Sequence, residues 1–205
     1  MHSRVVGAAV GSLIQERVRR AIAEDLRISP YDPRWPELFQ REAEHLGSCL
    51  PAALIGRIEH FGSTAVPGLA AKPVVDMLVQ VTSLRAARTQ IAPILTAQGY
   101  DYFWRPSFGD DVPPWYAFFI KRDPHGIRTH HIHMVTARRT FQEHWQRLLF
   151  RDYLIANPQT ARAYERLKIE LATMHPNDRV AYTEGKTAFI EQTTARAKAL
   201  LFGGS

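Results

Sequence analysis

Apolar residues recur along this chain with two different spacings, which together predict its order of helices and strands. A spacing of three to four residues indicates helices, whereas short apolar runs of roughly four to eight residues indicate strands. The helical spacing predicts helices over 11–27, 33–50, 83–98, 140–156, 158–174 and 180–201. The apolar runs predict strands over 57–62, 73–81, 100–104, 115–122 and 129–136. Strands grouped between helices, with a helical C-terminal third, predict an α+β fold.

Capping and turn-forming residues set several of the predicted boundaries. Asp32 followed by Pro33 predicts an N-cap with proline at the first helical position. Ser83 is the predicted cap of the next helix, and Gly99 closes that helix. The run over 73–81 is nearly all apolar, so we expect that strand to be buried on both faces.

The bulk properties are those of a globular protein without a membrane span. With 205 residues, the chain can bury a core of useful size in one domain. No apolar run approaches the roughly 18 residues that a membrane helix needs, and VVGAAVGSLI precedes the charged run QERVRR, the wrong order for a signal peptide. The single cysteine, Cys49, excludes an internal disulfide and a multi-cysteine metal site. We therefore expect a cytoplasmic protein with no membrane partner.

The positive charge of the chain lies in its C-terminal part. Residues 1–120 carry 12 basic and 12 acidic side chains, whereas residues 121–205 carry 14 basic and 8 acidic ones, so the net charge of +6 arises there. Such an excess attracts phosphate-bearing ligands or nucleic acid, or it is an ordinary solvated helical surface. Because no run of five basic residues occurs, nucleic acid is a possible partner but is not indicated.

Residues 58–81 carry the strongest functional signal. An apolar run ends at Gly62 and Ser63, a turn and Lys72 follow, and Asp76 is the single acid of the next apolar run. Glycine lets a backbone approach a phosphate closely, while the hydroxyl of Ser63 and the ammonium of Lys72 suit phosphate oxygens. A buried carboxylate without a partner is costly, which favours function over a structural pair with an arginine at Asp76. These residues predict a phosphate-binding cleft with Mg²⁺ or Mn²⁺ at Asp76.

The same segment is not a P-loop. That motif needs four residues between its glycines and a lysine directly after the second glycine. Here five residues separate Gly62 from Gly68, and Lys72 comes four residues after Gly68. The sequence therefore does not indicate a P-loop kinase.

Five separated segments make the chain resemble the GrpB family, a set of small bacterial proteins in the nucleotidyltransferase superfamily. They read YDPRWPELFQRE, IEHFGSTAVPGLAAKPVVDMLV, HIHMV, FRDYLIANPQTARAYERLKIELA and YTEGKTAFI. The resemblance covers about 29–193 and implies a nucleotidyltransferase-like fold, a mixed sheet flanked by helices. It implies a main domain over 29–205 and leaves 1–28 as an N-terminal helical extension. The family's domain also occurs fused to dephospho-CoA kinase.

The resemblance also implies roles for particular residues. The superfamily pattern is a Gly-Ser or Gly-Gly pair, a gap, and two acids placed two residues apart on one strand. Here 12 residues lie between Ser63 and Asp76, but Leu78 stands where the second acid is expected. Lys168 and Lys186 match the family pattern and are candidates for a phosphate-binding wall, or they are solvated helix lysines.

A second ligand for a metal ion could come from the histidines at 130–133. His131 and His133 lie two residues apart and share one side of an extended strand. Imidazole suits Zn²⁺, Mn²⁺ or Fe²⁺ better than Mg²⁺, so Asp76, His131 and His133 are the candidate catalytic and metal-binding residues. Alternatively, the two histidines are strand residues with satisfied hydrogen bonds. We expect His130 to point outward and Glu59 to be structural.

Three functions stay open on these residues. The first is metal-dependent transfer of a nucleoside monophosphate, which the absence of a carboxylate at Leu78 weakens. The second is a non-catalytic accessory domain that binds a nucleotide or a CoA precursor, with an unknown partner enzyme. The third is a histidine-assisted metallohydrolase or phosphotransferase. All three predict a nucleotide or another phosphate-bearing small molecule as the ligand.

Overall fold

The computed structural model describes residues 27–107 and 113–202. The helices are α1 (Trp35–Cys49), α2 (Leu84–Ala86), α3 (Ala92–Ala97), α4 (Gln142–Ala156), α5 (Pro158–Met174), α6 (Arg179–Glu184) and α7 (Thr187–Phe202). A π-helical turn over Ala87–Ile91 joins α2 to α3. The strands are β1 (Ile55–Phe61), β2 (Val75–Val81), β3 (Asp101–Pro106), β4 (Trp115–Arg122) and β5 (Arg128–Val135). This order confirms the predicted α+β fold with a helical C-terminal third.

The strands form one mixed sheet in the order β1-β2-β5-β4-β3. Only β2 and β5 run parallel, and the other neighbours are antiparallel. Strand β2 is paired on both edges, and Met77, Leu78 and Val79 are fully buried in it. Its apolar sequence thus reflects burial on both faces, as predicted.

The two faces of the sheet pack against different hydrophobic cores. Met77, Val79, Phe119 and Ile132 point to one face and pack under α1 and α3 in the main core. On the opposite face, Leu78 joins a smaller core that α4 covers. Because side chains alternate along a strand, Asp76 and His131 lie on this second face with Leu78. The candidate site is therefore next to the smaller core.

The helical C-terminal third is anchored on the loop between β1 and β2. Val66 and Leu69 from that loop are buried against Leu154 of α4 and Tyr164 of α5. Their burial sets the position of α5, α6 and α7 beside the start of β2. Basic residues that are distant in sequence consequently lie near Asp76, at the start of β2.

Helix α1 begins later than predicted. Its N-cap is Arg34, and the proline of its first turn is Pro36. Asp32 instead accepts a hydrogen bond from the backbone N–H of Arg34 at 2.9 Å and pairs with the Arg34 side chain at 2.7 Å. The carboxylate of Asp32 thus closes a turn before the helix, a common alternative use of aspartate.

The predicted helix over 180–201 is divided into α6 and α7 at Gly185 and Lys186. A Cβ at Gly185 would lie 2.5 Å from Leu171 Cδ2, so α6 ends where its backbone packs directly on α5. The predicted helix over 11–27, like most of the N-terminal extension, lies outside the described residues. Within 27–107 and 113–202, no helix is long and apolar enough to cross a membrane.

Candidate functional site

The centre of the site is the contact between Gly62 and Asp76. Phe61, the last residue of β1, pairs with Asp76 in β2, which brings Gly62 beside the carboxylate. Gly62 has φ 74° and ψ −171°, a backbone conformation that is essentially restricted to glycine. A Cβ there would lie 2.5 Å from Asp76 Oδ2. Glycine is therefore required both for the turn and for the close approach of the carboxylate.

Asp76 is held by a histidine whose tautomer follows from its partners. His131 Nδ1 lies 3.0 Å from Asp76 Oδ1, and Arg128 Nη1 lies 3.0 Å from His131 Nε2. A guanidinium only donates, so Nε2 accepts and Nδ1–H donates to the carboxylate. Burial lowers the pKa of His131 and keeps the ring neutral. Burial raises the pKa of Asp76, but the His131 hydrogen bond and nearby cations outweigh it, so the carboxylate is ionised.

Two half-buried lysines flank one aromatic ring beside Asp76. Lys186 Nζ lies 4.4 Å and Lys72 Nζ 5.1 Å from the centre of the Tyr182 ring. Burial lowers the pKa of Lys72 to about 7, and the charges of Arg179 and Lys186 act in the same direction. Burial likewise lowers the pKa of Lys186 to about 8, while Asp76 opposes that change. Lys72 and Lys186 thus both lie near Asp76, and their charges lower its pKa.

Ser63 also lies in this cleft, at the start of the short 3₁₀ helix Ser63–Ala65. Its hydroxyl lies close to the phenol of Tyr164, whose pKa burial raises. Tyr164 is buried on α5, so this contact links the end of β1 to the helical third of the chain.

Lys168 has a structural position rather than the predicted place in a phosphate-binding wall. Its side chain is only 2% exposed, and its Nζ donates to the carbonyl oxygen of Ala70. The neighbouring Glu165 accepts a hydrogen bond from the backbone N–H of Ala70 at 2.7 Å. Both α5 side chains are used to fix the loop before β2, which removes Lys168 from the open cleft.

The predicted three-ligand metal set does not assemble. His133 is 8% exposed and its ring packs among Phe61, Tyr116 and Phe118, at centroid distances of 5.3, 5.6 and 4.8 Å. Both ring nitrogens of His131 are already engaged, by Asp76 and Arg128. Among the described residues, no group of three or more His, Cys, Asp or Glu side chains is placed to hold a metal ion. His130 is not outward either, since it is buried beneath α1 with Nε2 3.3 Å from Leu38 O.

The donor groups fit one phosphate-bound cation and do not fit a two-metal centre. Glu59 lies on the same face, but Arg151 pairs with it at 3.3 Å, which agrees with its expected structural role. Among the residues that the structure describes, Asp76 is then the carboxylate beside Gly62. Mg²⁺ is commonly held by one or two carboxylates together with phosphate oxygens and water, whereas two-metal chemistry needs more carboxylates than Asp76 supplies.

Two arginines near the site, Arg128 and Arg179, were not predicted from the sequence. Arg128 is 5% exposed and contacts His131 from three residues earlier in β5. Arg179 starts α6, and its charge acts on Lys72, Lys186 and His131. For Arg128, a usable signal was its position at the start of β5, three residues before His131. No sequence pattern indicated Arg179, because only the packing of α6 brings this residue near the sheet.

Over most of its length, the chain is similar to GrpB and UPF0157 proteins. The family model described as GrpB protein matches residues 25–196. A UPF0157 protein of Pseudomonas aeruginosa is 38% identical over 187 residues, which cover 90% of this chain and 72% of that protein. The crystal structure of the conserved protein GrpB from Enterococcus faecalis is 34% identical with a TM-score of 0.69, and the match covers 83% of this chain and 96% of that one.

A more limited similarity concerns an enzyme. A dephospho-CoA kinase of Mycolicibacterium paratuberculosis is 39% identical over 85 residues, which are 40% of this chain and 20% of the kinase. The match is thus confined to a small part of that kinase, in contrast to the nearly complete matches above. From the extent of the family match and of these relatives, this chain belongs to the GrpB protein family.

Proposed function

We propose that this chain binds a nucleotide or a related phosphate ester in the cleft formed by Gly62, Ser63, Asp76, Lys72 and Lys186. The observation that carries the proposal is the charge balance of the cleft. Two lysines, Lys72 and Lys186, lie near the carboxylate of Asp76, and the charge of Arg179 acts on both lysines.

Neighbouring cations of this kind are electrostatically unfavourable when no anionic ligand is bound. Cations that are partly removed from water and placed near one another destabilise their charged forms, and the pKa values of Lys72 and Lys186, about 7 and about 8, measure this effect. The carboxylate of Asp76 compensates only part of the charge of the two lysines. A phosphate dianion between the lysines would compensate the rest, so anion binding removes the unfavourable electrostatic energy.

Several features favour a nucleotide over a simple anion. The family membership and the partial similarity to a dephospho-CoA kinase support a nucleotide-related fold. The absence of a side chain at Gly62 lets a ligand approach the backbone, and the Ser63 hydroxyl offers one more polar contact. In this proposal, Mg²⁺ or Mn²⁺ arrives with the phosphates, and Asp76 is its protein ligand.

Binding without turnover accounts best for the observed residues. Leu78 is fully buried in β2, so the position expected for a second carboxylate is part of the core. Transfer of a nucleoside monophosphate is therefore the second candidate, supported by the ionised state of Asp76. Release of pyrophosphate from a bound triphosphate distinguishes the two.

Isothermal titration calorimetry with ATP, GTP, CTP and UTP, with and without Mg²⁺ or Mn²⁺, tests the proposal. The variants Lys72→Gln and Lys186→Gln each remove one cation, and Arg85→Gln removes an exposed charge on α2 as a matched control. Because a hydrogen bond to a charged group contributes about 1.5–3 kcal/mol, each lysine variant should bind about 10- to 100-fold more weakly. Asp76→Asn should abolish the effect of the metal. If no nucleotide binds the unaltered protein, the proposal is wrong.

A further inference from the structure

A cluster of aromatic and histidine rings lies beside the candidate cleft on the same face of the sheet. We define this ring cluster as Phe61, Tyr116, Phe118, His133 and His144. The Tyr116 ring stacks on His133 at 5.6 Å and meets His144 edge-on at 4.8 Å. The Phe118 ring lies 5.4 Å from the His131 ring, so the cluster adjoins the Asp76–His131 pair.

Two guanidinium groups lie over the ring cluster. Arg105 Cζ is 5.1 Å from the centre of the Phe118 ring and 5.8 Å from that of Tyr116. Arg147 Cζ is 5.7 Å from the centre of the Phe61 ring. The two arginines come from different elements, β3 and α4, and converge on one patch.

Neither guanidinium forms an ion pair within the part of the chain that the structure describes. Carboxylates come within 4.0 Å of several other arginines of this protein, but of neither Arg105 nor Arg147. Burial lowers the pKa of Arg147. The charges of Asp76 and Glu143 raise that pKa from a distance, without an ion pair. Two converging cations that have no counter-ion among residues 27–107 and 113–202 are an arrangement that favours an anionic ligand.

The ring cluster also contains unused hydrogen-bonding groups. His133 Nδ1 and His144 Nε2 are buried and have no hydrogen-bond partner in the described part of the chain, and the two residues are 8% and 2% exposed. Buried polar atoms are rarely left without a partner, because the lost hydrogen bonds to water are not replaced. Two such atoms next to two cations without ion pairs indicate that a polar ligand completes the cluster.

We infer that Arg105 and Arg147, with His133 and His144, form a second anion subsite that takes a phosphate or carboxylate group. Guanidinium groups suit this task because their planar donors match both oxyanions in a bidentate manner. This inference rests on the proposed function for the first subsite at Lys72 and Lys186. The two subsites lie on either side of the Asp76–His131 pair, so the ligand class is a nucleotide together with a second group that is itself anionic.

The histidines can serve an anion without carrying charge. Burial lowers the pKa of His144 to about 3, with the charges of Arg147 and Arg105 acting in the same direction. Burial and Arg147 also hold the pKa of His133 well below its ordinary value. At neutral pH each ring is neutral and offers one N–H donor, while the arginines supply the charge.

Nuclear magnetic resonance titration of the full chain with inorganic phosphate, and separately with acetate, tests the two subsites independently. The Nε–Hε signals of Arg105 and Arg147 report the second subsite, and the ring signals of His133 and His144 report it in the arginine double variant as well. The Gly62 amide and the Tyr182 ring report the first subsite. The comparison includes Arg105→Gln/Arg147→Gln, Lys72→Gln/Lys186→Gln and the control Arg85→Gln. If the arginine double variant does not fold, Arg105→Gln alone replaces it in the comparison, because Arg105 is exposed and its replacement leaves the core intact.

Phosphate should shift both groups of signals in the unaltered protein. The arginine double variant should weaken binding at the second subsite at least tenfold and leave the first unchanged, and the lysine double variant should do the reverse. Acetate that shifts only the arginine signals would identify a carboxylate as the natural group. If neither anion moves the arginine signals while the Gly62 amide responds to phosphate, the second subsite is wrong and the proposed function stands. If the Gly62 amide does not respond but the arginine signals do, only the first subsite fails.

Discussion

Replacing Gly62 with alanine is expected to destabilise the protein by about 3 kcal/mol. The conformation at φ 74° and ψ −171° costs a residue with a Cβ on the order of 1–3 kcal/mol. The new Cβ would lie 2.5 Å from Asp76 Oδ2 and 3.1 Å from Asp76 Cβ, so the carboxylate has to rotate away. Rotation breaks the 3.0 Å hydrogen bond to His131, which adds about 1–2 kcal/mol.

Gly68 provides the matched control, because it shares the backbone feature and lacks the contact. Its φ is 77°, and a Cβ there would meet no atom within 4 Å. Gly68→Ala should therefore cost only the backbone penalty, about 1–2 kcal/mol. Urea denaturation of both variants measures the difference, and thermal unfolding should place Gly62→Ala about 6–12 °C below the unaltered protein.

A double-mutant cycle isolates the steric contact between Gly62 and Asp76. Asp76→Ala removes the carboxylate, so Gly62→Ala should cost about 1 kcal/mol less in that background than in the unaltered protein. Equal costs for Gly62→Ala and Gly68→Ala, or strict additivity in the cycle, would refute the claim that Gly62 is required by the approach of Asp76.

Two further outcomes follow from the pKa values and from the packing of α6. Lys72 and Lys186 have pKa values of about 7 and about 8 in the free protein, so both are charged at pH 6 and neutral at pH 9. Affinity for sulfate, which does not titrate in this range, should therefore fall as the pH rises from 6 to 9, and an affinity independent of pH would contradict the proposed anion site. Gly185→Ala should destabilise the protein by about 1–3 kcal/mol, because its Cβ would lie 2.5 Å from Leu171 Cδ2 and overpack the contact between α6 and α5. Urea denaturation measures this change, and an unaltered midpoint would show that Leu171 moves aside freely.

The order of elements could be predicted because it depends on local patterns. The apolar run of β2, the cap at Ser83 and the glycine at Gly99 each act within a few residues, and the structure confirms them. The errors also have local causes. Asp32 closes a turn with Arg34 and does not cap a helix begun at Pro33, and Gly185 interrupts a helical pattern that periodicity alone extends.

The candidate site could be predicted only in part. Gly62 and Ser63 directly follow β1, and Asp76 lies in β2, the next strand in sequence and its neighbour in the sheet, so their spacing in the chain predicts their meeting. His131 joins them because β5 pairs in parallel with β2, opposite Asp76. Lys168 has a residue type that suits a site, yet the structure buries it against the loop before β2, and His133 lies in the ring cluster and not in a metal set with Asp76. Residue type alone does not distinguish a ligand from a buried polar group that supports a loop.

The sequence by itself determined the α+β fold class, the GrpB family and the cleft at Gly62, Ser63 and Asp76, because these depend on short-range spacing. The tertiary structure alone decided which charges face that cleft. Helices α5 to α7 pack on the loop between β1 and β2, and this packing brings Arg179 and Lys186 to Asp76. Likewise, β3 and α4 carry Arg105 and Arg147 to one ring cluster from positions that are 42 residues apart in the chain. Electrostatic interactions act across space, so no local pattern could have predicted either convergence.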